Sequence, residues 1–277
     1  MANTIDVAFV EAFKSNVIML SQQHPSRLRS TVDSMTVKAE TANVERIGVK
    51  EAVEKTTQHS PTPVLDVPHS RRKFGMQDWQ WADLIDEEDQ IRLLISPKSE
   101  YAKAGAFAMN RVYDNLIIAA ASGSATDGDG TAVPLSAGQK IAAGAAGMTI
   151  DKVIEAKEIL DANEVDSANR YMVVNSKAMS DMLGTTEVTS SDFNSVKALV
   201  HGSFDTFMGF KWIQTELLNA GTMLAYHKSG IRLGIGREVS TRIDKRPVLS
   251  YADQVYLAFT AGASRMEEEK VVEIGVV

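Results

Sequence analysis

The stretch 36–75 constrains the fold more than any other part of the chain, because it has too few apolar side chains to build a core of its own. Residues 44–51 alternate in the manner of an extended, weakly amphipathic strand. Pro61 and Pro63 then mark a polar tip, and residues 64–74 lead the chain back. Two polar extended arms around a proline-marked tip predict a long β-hairpin.

A two-stranded hairpin of this kind is marginally stable in water by itself. The pattern is understandable if the hairpin lies on another subunit, which would supply the missing contacts. The same composition also fits a mobile loop, and the residues alone favour neither interpretation.

The composition is that of an ordinary globular protein, with 277 residues of which 44% are hydrophobic and 23% charged. The sequence contains no cysteine, which excludes disulfides, cysteine-ligated zinc, iron–sulfur clusters and thiol nucleophiles. The net charge of −7 makes a dedicated nucleic-acid binder a poor candidate. No segment has the pattern of a signal peptide or of a membrane span, so we expect synthesis in the cytoplasm and no membrane partner.

A long helix is predicted from Ser96 to Ala121. Serine is a good N-cap and Pro97 suits the first helical position, while Gly123 supplies a stop. Typical helices have about 11–12 residues, so this one is long, and its small residues would allow another backbone to approach closely. The predicted face of the helix comprises Tyr101, Gly105, Ala108, Val112, Leu116 and Ala119.

The stretch 122–148, rich in Gly, Ala and Ser, is predicted to be a loop, and after it helices alternate with strands. Thr149 and Asn175 are placed to cap helices that run to Ala162 and Leu183. This alternation is typical of an α/β unit. The further predicted elements are strands at 171–174, 210–213 and 223–227, a helix opening at 191–192, and strands around 239–243, 255–259 and 270–277.

Motifs for catalysis and ligand binding are absent from the sequence. No phosphate-binding loop with its lysine is present, and Gly234–Gly236 lacks the third glycine of a dinucleotide motif, so a turn between strands is predicted there. Asp127–Gly130 begins like a calcium loop but lacks its later glycine and glutamate. Gly262–Met266 misses the nucleophile elbow by its last glycine, and Glu267–Glu269 is predicted to be a solvated turn. We therefore expect no catalytic residue, cofactor or metal, although these absences do not exclude an enzyme.

Several stretches of the sequence carry a resemblance that spans nearly the whole chain. Pro68–Lys73, which leads to Trp81–Asp86, resembles the return arm of an extended loop. Ser96–Lys103 together with Asp114–Ala120 resembles a spine helix, and Gly262–Ile274 resembles the last strands of a peripheral domain. In these stretches the chain resembles the major capsid proteins of tailed bacteriophages. The resemblance implies their α+β fold, the Hong Kong 97-type fold.

The resemblance also implies how the chain is divided. The α/β unit would be an axial domain that meets its copies around the five-fold and six-fold axes, and the hairpin would lie over a neighbour. The implied segments are an N-terminal arm at 1–44, an extended loop at 45–75, a peripheral domain with the spine helix at 76–125, an axial domain at 126–235, and peripheral-domain strands at 236–277.

By the same resemblance, the chain is expected to be a major capsid protein that assembles as pentamers and hexamers into an icosahedral head around double-stranded DNA. The expected partners are further copies of the chain, a separate scaffolding protein, cement, portal and other head proteins, and packaged DNA held by nonspecific contact. Arg27 and Arg29 in the arm are candidates for the DNA contact. The expected location is the virion, after synthesis in the cytoplasm of the bacterial host. The alternatives are an encapsulin-like shell protein and, less favoured, an oligomeric α/β enzyme.

Contacts between subunits are expected on the loop and at the acidic segment 86–89. The basic run Arg71–Lys73 would bridge to that acidic segment of the adjacent subunit or would be solvated, and the residues do not decide between the two. Some capsid proteins of this kind join subunits by a lysine–asparagine bond. Lys50 and Lys55 lie in the loop, but no acceptor or catalytic acid is identifiable, so noncovalent locking is expected. The candidate contact residues are Glu54, Lys55, His59, Arg71, Arg72, Lys73, Asp86 and Glu87.

Overall fold

A computed structural model describes residues 24–59, 61–86, 98–184 and 206–277 of the chain. The α-helices of these residues are α1 (Lys98–Ser122), α2 (Ile150–Ala162) and α3 (Ser176–Leu183). The β-strands of these residues are β1 (Asp33–Thr36), β2 (Thr41–Ile47), β3 (His69–Gly75), β4 (Gln77–Ile85), β5 (Ala125–Asp127), β6 (Ala132–Val133), β7 (Lys140–Ile141), β8 (Arg170–Val174), β9 (Thr206–Phe207), β10 (Phe210–Gln214), β11 (Thr222–His227), β12 (Ile231–Arg246), β13 (Ala252–Arg265) and β14 (Val271–Gly275).

The first sheet is built around two long antiparallel strands, β12 and β13, in the order β1-β12-β13-β4. Helix α1 packs on this sheet, and the ring centroids of Tyr113 and Phe259 are 4.5 Å apart in the core between them. A Cβ atom on Gly105 would lie 2.7 Å from both Leu257 and Trp81. Gly105 therefore gives room to side chains of the sheet, whereas the prediction was that these small residues admit another backbone.

The buried face of α1 differs from the predicted one. Tyr101 and Ala119 are exposed, and Ala108 and Val112 are only partly buried. Because the helix carries apolar side chains on several faces, their spacing alone does not show which face meets the sheet. The buried residues that follow one another at intervals of four along the helix are Gly105, Met109, Tyr113, Ile117 and Ala121.

A buried carboxylate on α1 holds the segment that precedes the sheet. Asp114, which is fully buried, accepts hydrogen bonds from the Ser26 hydroxyl at 2.5 Å and from the backbone N–H groups of Arg27 and Leu28 at 3.1 Å each. Three donors aimed at one buried carboxylate offset its desolvation. The segment after residue 24 is thereby fixed to the middle of the helix.

The second sheet has six strands in the order β7-β14-β11-β8-β10-β9, and α2 and α3 pack against it. Both predicted N-caps are confirmed, since the Thr149 side chain accepts from the Lys152 N–H and the Asn175 side chain accepts from the Ala178 N–H. The helix predicted to open at residues 191–192 lies outside the described residues.

The last strand belongs to this second sheet and not to the first sheet, which contains the other long strands of 236–277. Strand β14 lies between β7 and β11, and Val271, Val272 and Ile274 are buried. A strand buried on both faces carries a nearly continuous apolar run. The division at 235/236 also falls inside β12, which continues through it.

The hairpin is present, and its strands are shorter than predicted. Strands β2 and β3 pair antiparallel from Thr41 opposite Gly75 to Ile47 opposite His69. The strand therefore ends before the predicted limit at 51, and residues 49–59 and 61–68 carry no regular secondary structure. The predicted loop at 122–148 contains the short strands β5, β6 and β7, of which β5 pairs with β3 to give a sheet in the order β2-β3-β5-β6.

We expect Asp114→Ala to lower the free energy of unfolding by about 2–4 kcal/mol, because it leaves the buried Leu28 N–H and the two partly buried donors of Ser26 and Arg27 without this acceptor. Urea unfolding of the purified subunit measures this. Asp129→Ala is the control, since Asp129 is exposed. Equal stability of the two variants would contradict the role of Asp114 as an anchor.

Candidate functional site: the hairpin and its seat

The base of the hairpin crosses the first sheet at a pair of facing glycines. Gly234 on β12 and Gly262 on β13 are direct partners in the strand ladder. A Cβ atom on Gly262 would collide with the carbonyl oxygen of Gly75, and one on Gly234 would lie 2.7 Å from the ring of Phe74. The backbone of β3 can come this close because Gly262 lacks a side chain, and the missing side chain of Gly234 makes room for the Phe74 ring.

The interpretation of Gly234–Gly236 as a turn between strands is therefore wrong. Both glycines lie inside β12, and Gly234 receives the buried ring of Phe74. Phe74 packs with Val37, Ala42 and Met266 in a small separate core. A glycine inside a strand often marks a close approach of another backbone. The two glycines could therefore have been interpreted as a strand with a close neighbour.

An ionic cluster joins the same hairpin base to the turn after β13. The Arg72 guanidinium lies 2.5 Å from a Glu268 carboxylate oxygen, and those of Arg265 and Arg46 lie 3.8 Å and 3.9 Å from the carboxylate. The Glu268 side chain is 16% exposed and that of Arg265 is fully buried. The prediction of a solvated turn at Glu267–Glu269 is wrong at Glu268, because a charge run in a sequence does not show which member points inward.

Backbone acceptors complete the cluster. The Met266 carbonyl accepts from Arg46 at 2.5 Å and from Arg72 at 3.4 Å. Arg265 donates to the carbonyls of Ala121 and Gly123, at the end of α1, and to that of Val133 in β6. Burial lowers the pKa of the Arg265 guanidinium, and the Glu268 charge opposes that shift. The cluster thus ties the hairpin, the sheet and the helix end to one point.

Beyond its base, which contacts Gly234, Gly262 and Glu268, the hairpin exposes apolar side chains. Val49 and Val64 are 93% and 96% exposed. They lie on opposite arms, near the last backbone hydrogen bond of the hairpin, in which the Gly48 N–H donates to the Pro68 carbonyl. The exposed large apolar residues of the hairpin and its loop are Ile47, Val49, Val53, Val64 and Leu65.

Among residues 24–59, 61–86, 98–184 and 206–277, no group of three His, Cys, Asp or Glu side chains is arranged to hold a metal ion. None of the helices in those ranges is both long enough and apolar enough to cross a membrane.

A family model described as phage capsid protein matches residues 5–277. The chain belongs to the phage capsid protein family. It is a major capsid protein, a structural protein of the shell of the virion head. This favours the phage head over the encapsulin-like shell. No curated protein matches the chain.

Solved structures show the fold of this capsid protein. The capsid of cyanophage P-SCSP1u has a TM-score of 0.76 at 13% identity, covering 95% of this chain and 91% of that chain. The capsid asymmetric unit of cyanophage Pam1 has a TM-score of 0.69 at 10% identity, covering 94% of each chain. The capsid of a native GTA particle has a TM-score of 0.66 at 12% identity, covering 94% of this chain and 92% of that chain. The α+β fold of phage capsids is therefore confirmed.

The predicted contact residues of the capsid protein fall into separate groups. Arg71 is exposed and pairs with Glu45 across the hairpin, whereas Arg72 is directed inward to Glu268 of its own chain. In the structure of the single chain, Arg72 is buried at the base of the hairpin. Glu87 lies outside the described residues. The others are exposed or partly buried, namely Glu54, Lys55 and His59 on the loop, Lys73 on β3 and Asp86 after β4.

The two arginines considered for genome contact have partners within the chain. Arg27 donates to the Gln214 carbonyl at 2.6 Å. Arg29 lies 2.7 Å from a Glu238 oxygen and stands over the ring of Tyr113 at 5.0 Å. Both side chains therefore contribute to fixing the segment before β1.

We expect Gly262→Ala to lower the free energy of unfolding by about 2–3 kcal/mol, because the added methyl group collides with the backbone of β3 at the base of the hairpin. Gly138→Ala is the matched control, since its Cβ would meet nothing closer than 4.0 Å. Urea unfolding compares the two variants. If Gly262→Ala were as stable as the control, the close approach of the β3 backbone to Gly262 would be contradicted.

We expect Glu268→Gln to lower stability by about 2–4 kcal/mol and to free the hairpin, because three guanidinium groups lose their shared carboxylate. Urea unfolding measures the stability, and the rate of proteolysis within residues 48–68 measures the release of the hairpin. Glu269→Gln is the control, since Glu269 is exposed in the same turn. Equal cleavage rates for the two variants would contradict the role of the cluster.

Proposed function

We propose that this capsid protein assembles as pentamers and hexamers and that the hairpin of residues 41–75 joins one copy to the next. One observation carries the proposal: the apolar side chains of the loop are exposed while its base is held firmly. A held base presents the loop without the loss of conformational freedom that a freely hinged arm would suffer on docking.

The exposed apolar side chains can supply the contact energy. Fully burying a Val, Leu or Ile side chain contributes about 1.5–3 kcal/mol. Val49, Val53 and Val64 are all more than half exposed within the chain, so most of this burial energy remains for a partner. A second copy is the natural partner in a shell built from one protein.

Charges on the hairpin would set the register of this contact. Lys50 and Lys55 flank Glu51 and Glu54 on the loop. Mixed charges discriminate between docking positions more than they add affinity. We keep Glu54, Lys55, His59, Arg71, Lys73, Asp86 and Glu87 as proposed contact residues between subunits, and we propose that the locking is noncovalent.

The enclosed genome and the other head proteins complete the proposal. The net charge of −7 favours nonspecific contact with packaged double-stranded DNA over tight binding, which would hinder packaging. We propose synthesis in the cytoplasm of the bacterial host, assembly on a separate scaffolding protein, and a head that also contains portal and cement proteins.

The double variant Val49→Asp/Val64→Asp tests the hairpin contact. We expect loss of sedimenting shells and of closed particles in electron microscopy, because charged groups would have to be buried at the contact. The subunit should keep its urea midpoint, since both side chains are exposed in the isolated chain. Shell yields equal to those of the unaltered chain would overturn the proposal.

Val49→Ile/Val64→Ile is the matched control for the same two positions. It preserves apolar character, so we expect normal shells. A loss of shells in this control as well would mean that the positions tolerate no change of shape, and the comparison would then move to Val49→Ala/Val64→Ala, which should assemble more weakly but still form shells.

A further inference from the structure

A lysine in the second sheet's domain is enclosed by backbone carbonyl groups. The Lys152 ammonium lies 2.8 Å from the carbonyl oxygen of Ala143 and 2.9 Å from those of Ala146, Gly147 and Gly275. The residue is only 7% exposed. Lysine is rarely buried unless its charge is compensated. Here the hydrogen bonds come from peptide carbonyls, and the negative charges of Asp181 and Glu155 also favour the ammonium form.

The number of acceptors exceeds the number of donors. An ammonium group has three N–H bonds, so four convergent carbonyls cannot all receive a linear hydrogen bond at once. Several carbonyl oxygens directed at one point are instead the arrangement that replaces the hydration shell of a potassium ion. The geometry is thus that of a coordination shell around a monovalent cation.

The backbone is shaped to make this shell. Gly144 and Ala145 both have positive φ, at 59° and 55°, which turns the loop sharply between the carbonyls of Ala143 and Ala146. Gly275 approaches the same loop so closely that a Cβ there would lie 2.8 Å from the Ala143 nitrogen. A left-handed alanine is strained relative to glycine, and the bonds to the ammonium oppose that strain.

The position of Lys152 on its helix gives an independent argument. Thr149 caps α2 and Ile150 is its first residue, so Lys152 lies in the first turn. A cation is disfavoured at the positive end of the helix dipole. The ammonium therefore lies there against the preference of the helix dipole, and the carbonyl groups compensate for it together with the charges of Asp181 and Glu155.

We propose that the carbonyls of Ala143, Ala146, Gly147 and Gly275 form a monovalent-cation site, which the chain fills with its own Lys152 ammonium. The tethered cation fastens the loop 143–147 and the end of β14 to the start of α2. Because it is covalently attached, it cannot be exchanged or diluted away. This inference does not depend on the hairpin contact between subunits.

Lys152→Ala tests the site, since it removes the ammonium and leaves room for a free ion. We expect a lower thermal midpoint, by about 5–10 °C, in buffers whose only cation is tetramethylammonium, which is too large for the shell. Ammonium or potassium chloride at the same ionic strength should raise the midpoint in a saturable way. Absence of such a rise would overturn the proposal.

Two controls separate this effect from general salt stabilisation. Lys152→Met fills the volume without a charge, so neither cation should restore its midpoint. Lys157→Ala removes a half-exposed lysine of the same helix, which pairs with Asp161, and should show no difference between potassium and tetramethylammonium. A selective response to potassium or ammonium in either control, equal to that of Lys152→Ala, would contradict the proposal.

The unaltered chain provides a second measurement if Lys152→Ala does not fold. Reductive methylation followed by mass spectrometry should modify Lys157 readily and Lys152 only after unfolding. Exchange of sodium for potassium should leave the thermal midpoint unchanged. Modification of Lys152 at the rate of Lys157 in the folded chain would show that the ammonium is not enclosed and would overturn the proposal.

Discussion

The carboxylate of Glu268 is the interaction on which the shape of this capsid protein most depends. It faces the guanidinium groups of Arg46, Arg72 and Arg265, which belong to the two hairpin strands and to the end of β13. Since Arg265 also binds the carbonyls at the end of α1, the charge of one side chain connects the hairpin, the sheet and the helix. A surplus of positive charge around one carboxylate means that its loss leaves buried groups uncompensated.

Close backbone packing complements this ionic cluster. The facing glycines Gly234 and Gly262 let β3 lie directly on the first sheet, and Phe74 fills the space beside them. The base of the hairpin is therefore held by shape as well as by charge. The distal loop has neither support, and its apolar side chains are exposed. The same element thus combines a firm attachment to its own chain with a surface left free for another.

Local features of the fold could be predicted from the sequence, whereas those that depend on long-range packing could not. The caps Thr149 and Asn175 act within three residues, so their type and spacing were sufficient. The exposed loop also followed from composition. The inward orientation of Glu268 and the buried face of α1 depend on which elements meet in three dimensions. When neighbouring residues are of the same type, the sequence does not show which of them will be buried.

The return of the chain to the second sheet after β13 follows from how that sheet is buried. In β8, Val173 faces the core shared with α1, whereas Met172 and Val174 face the core shared with α2 and α3. Val271 and Val272 of β14 divide in the same way. A sheet covered on both faces needs apolar residues in succession along its strands. The last strand supplies such a run, and it links the two cores so that the α/β unit is not an independent insertion.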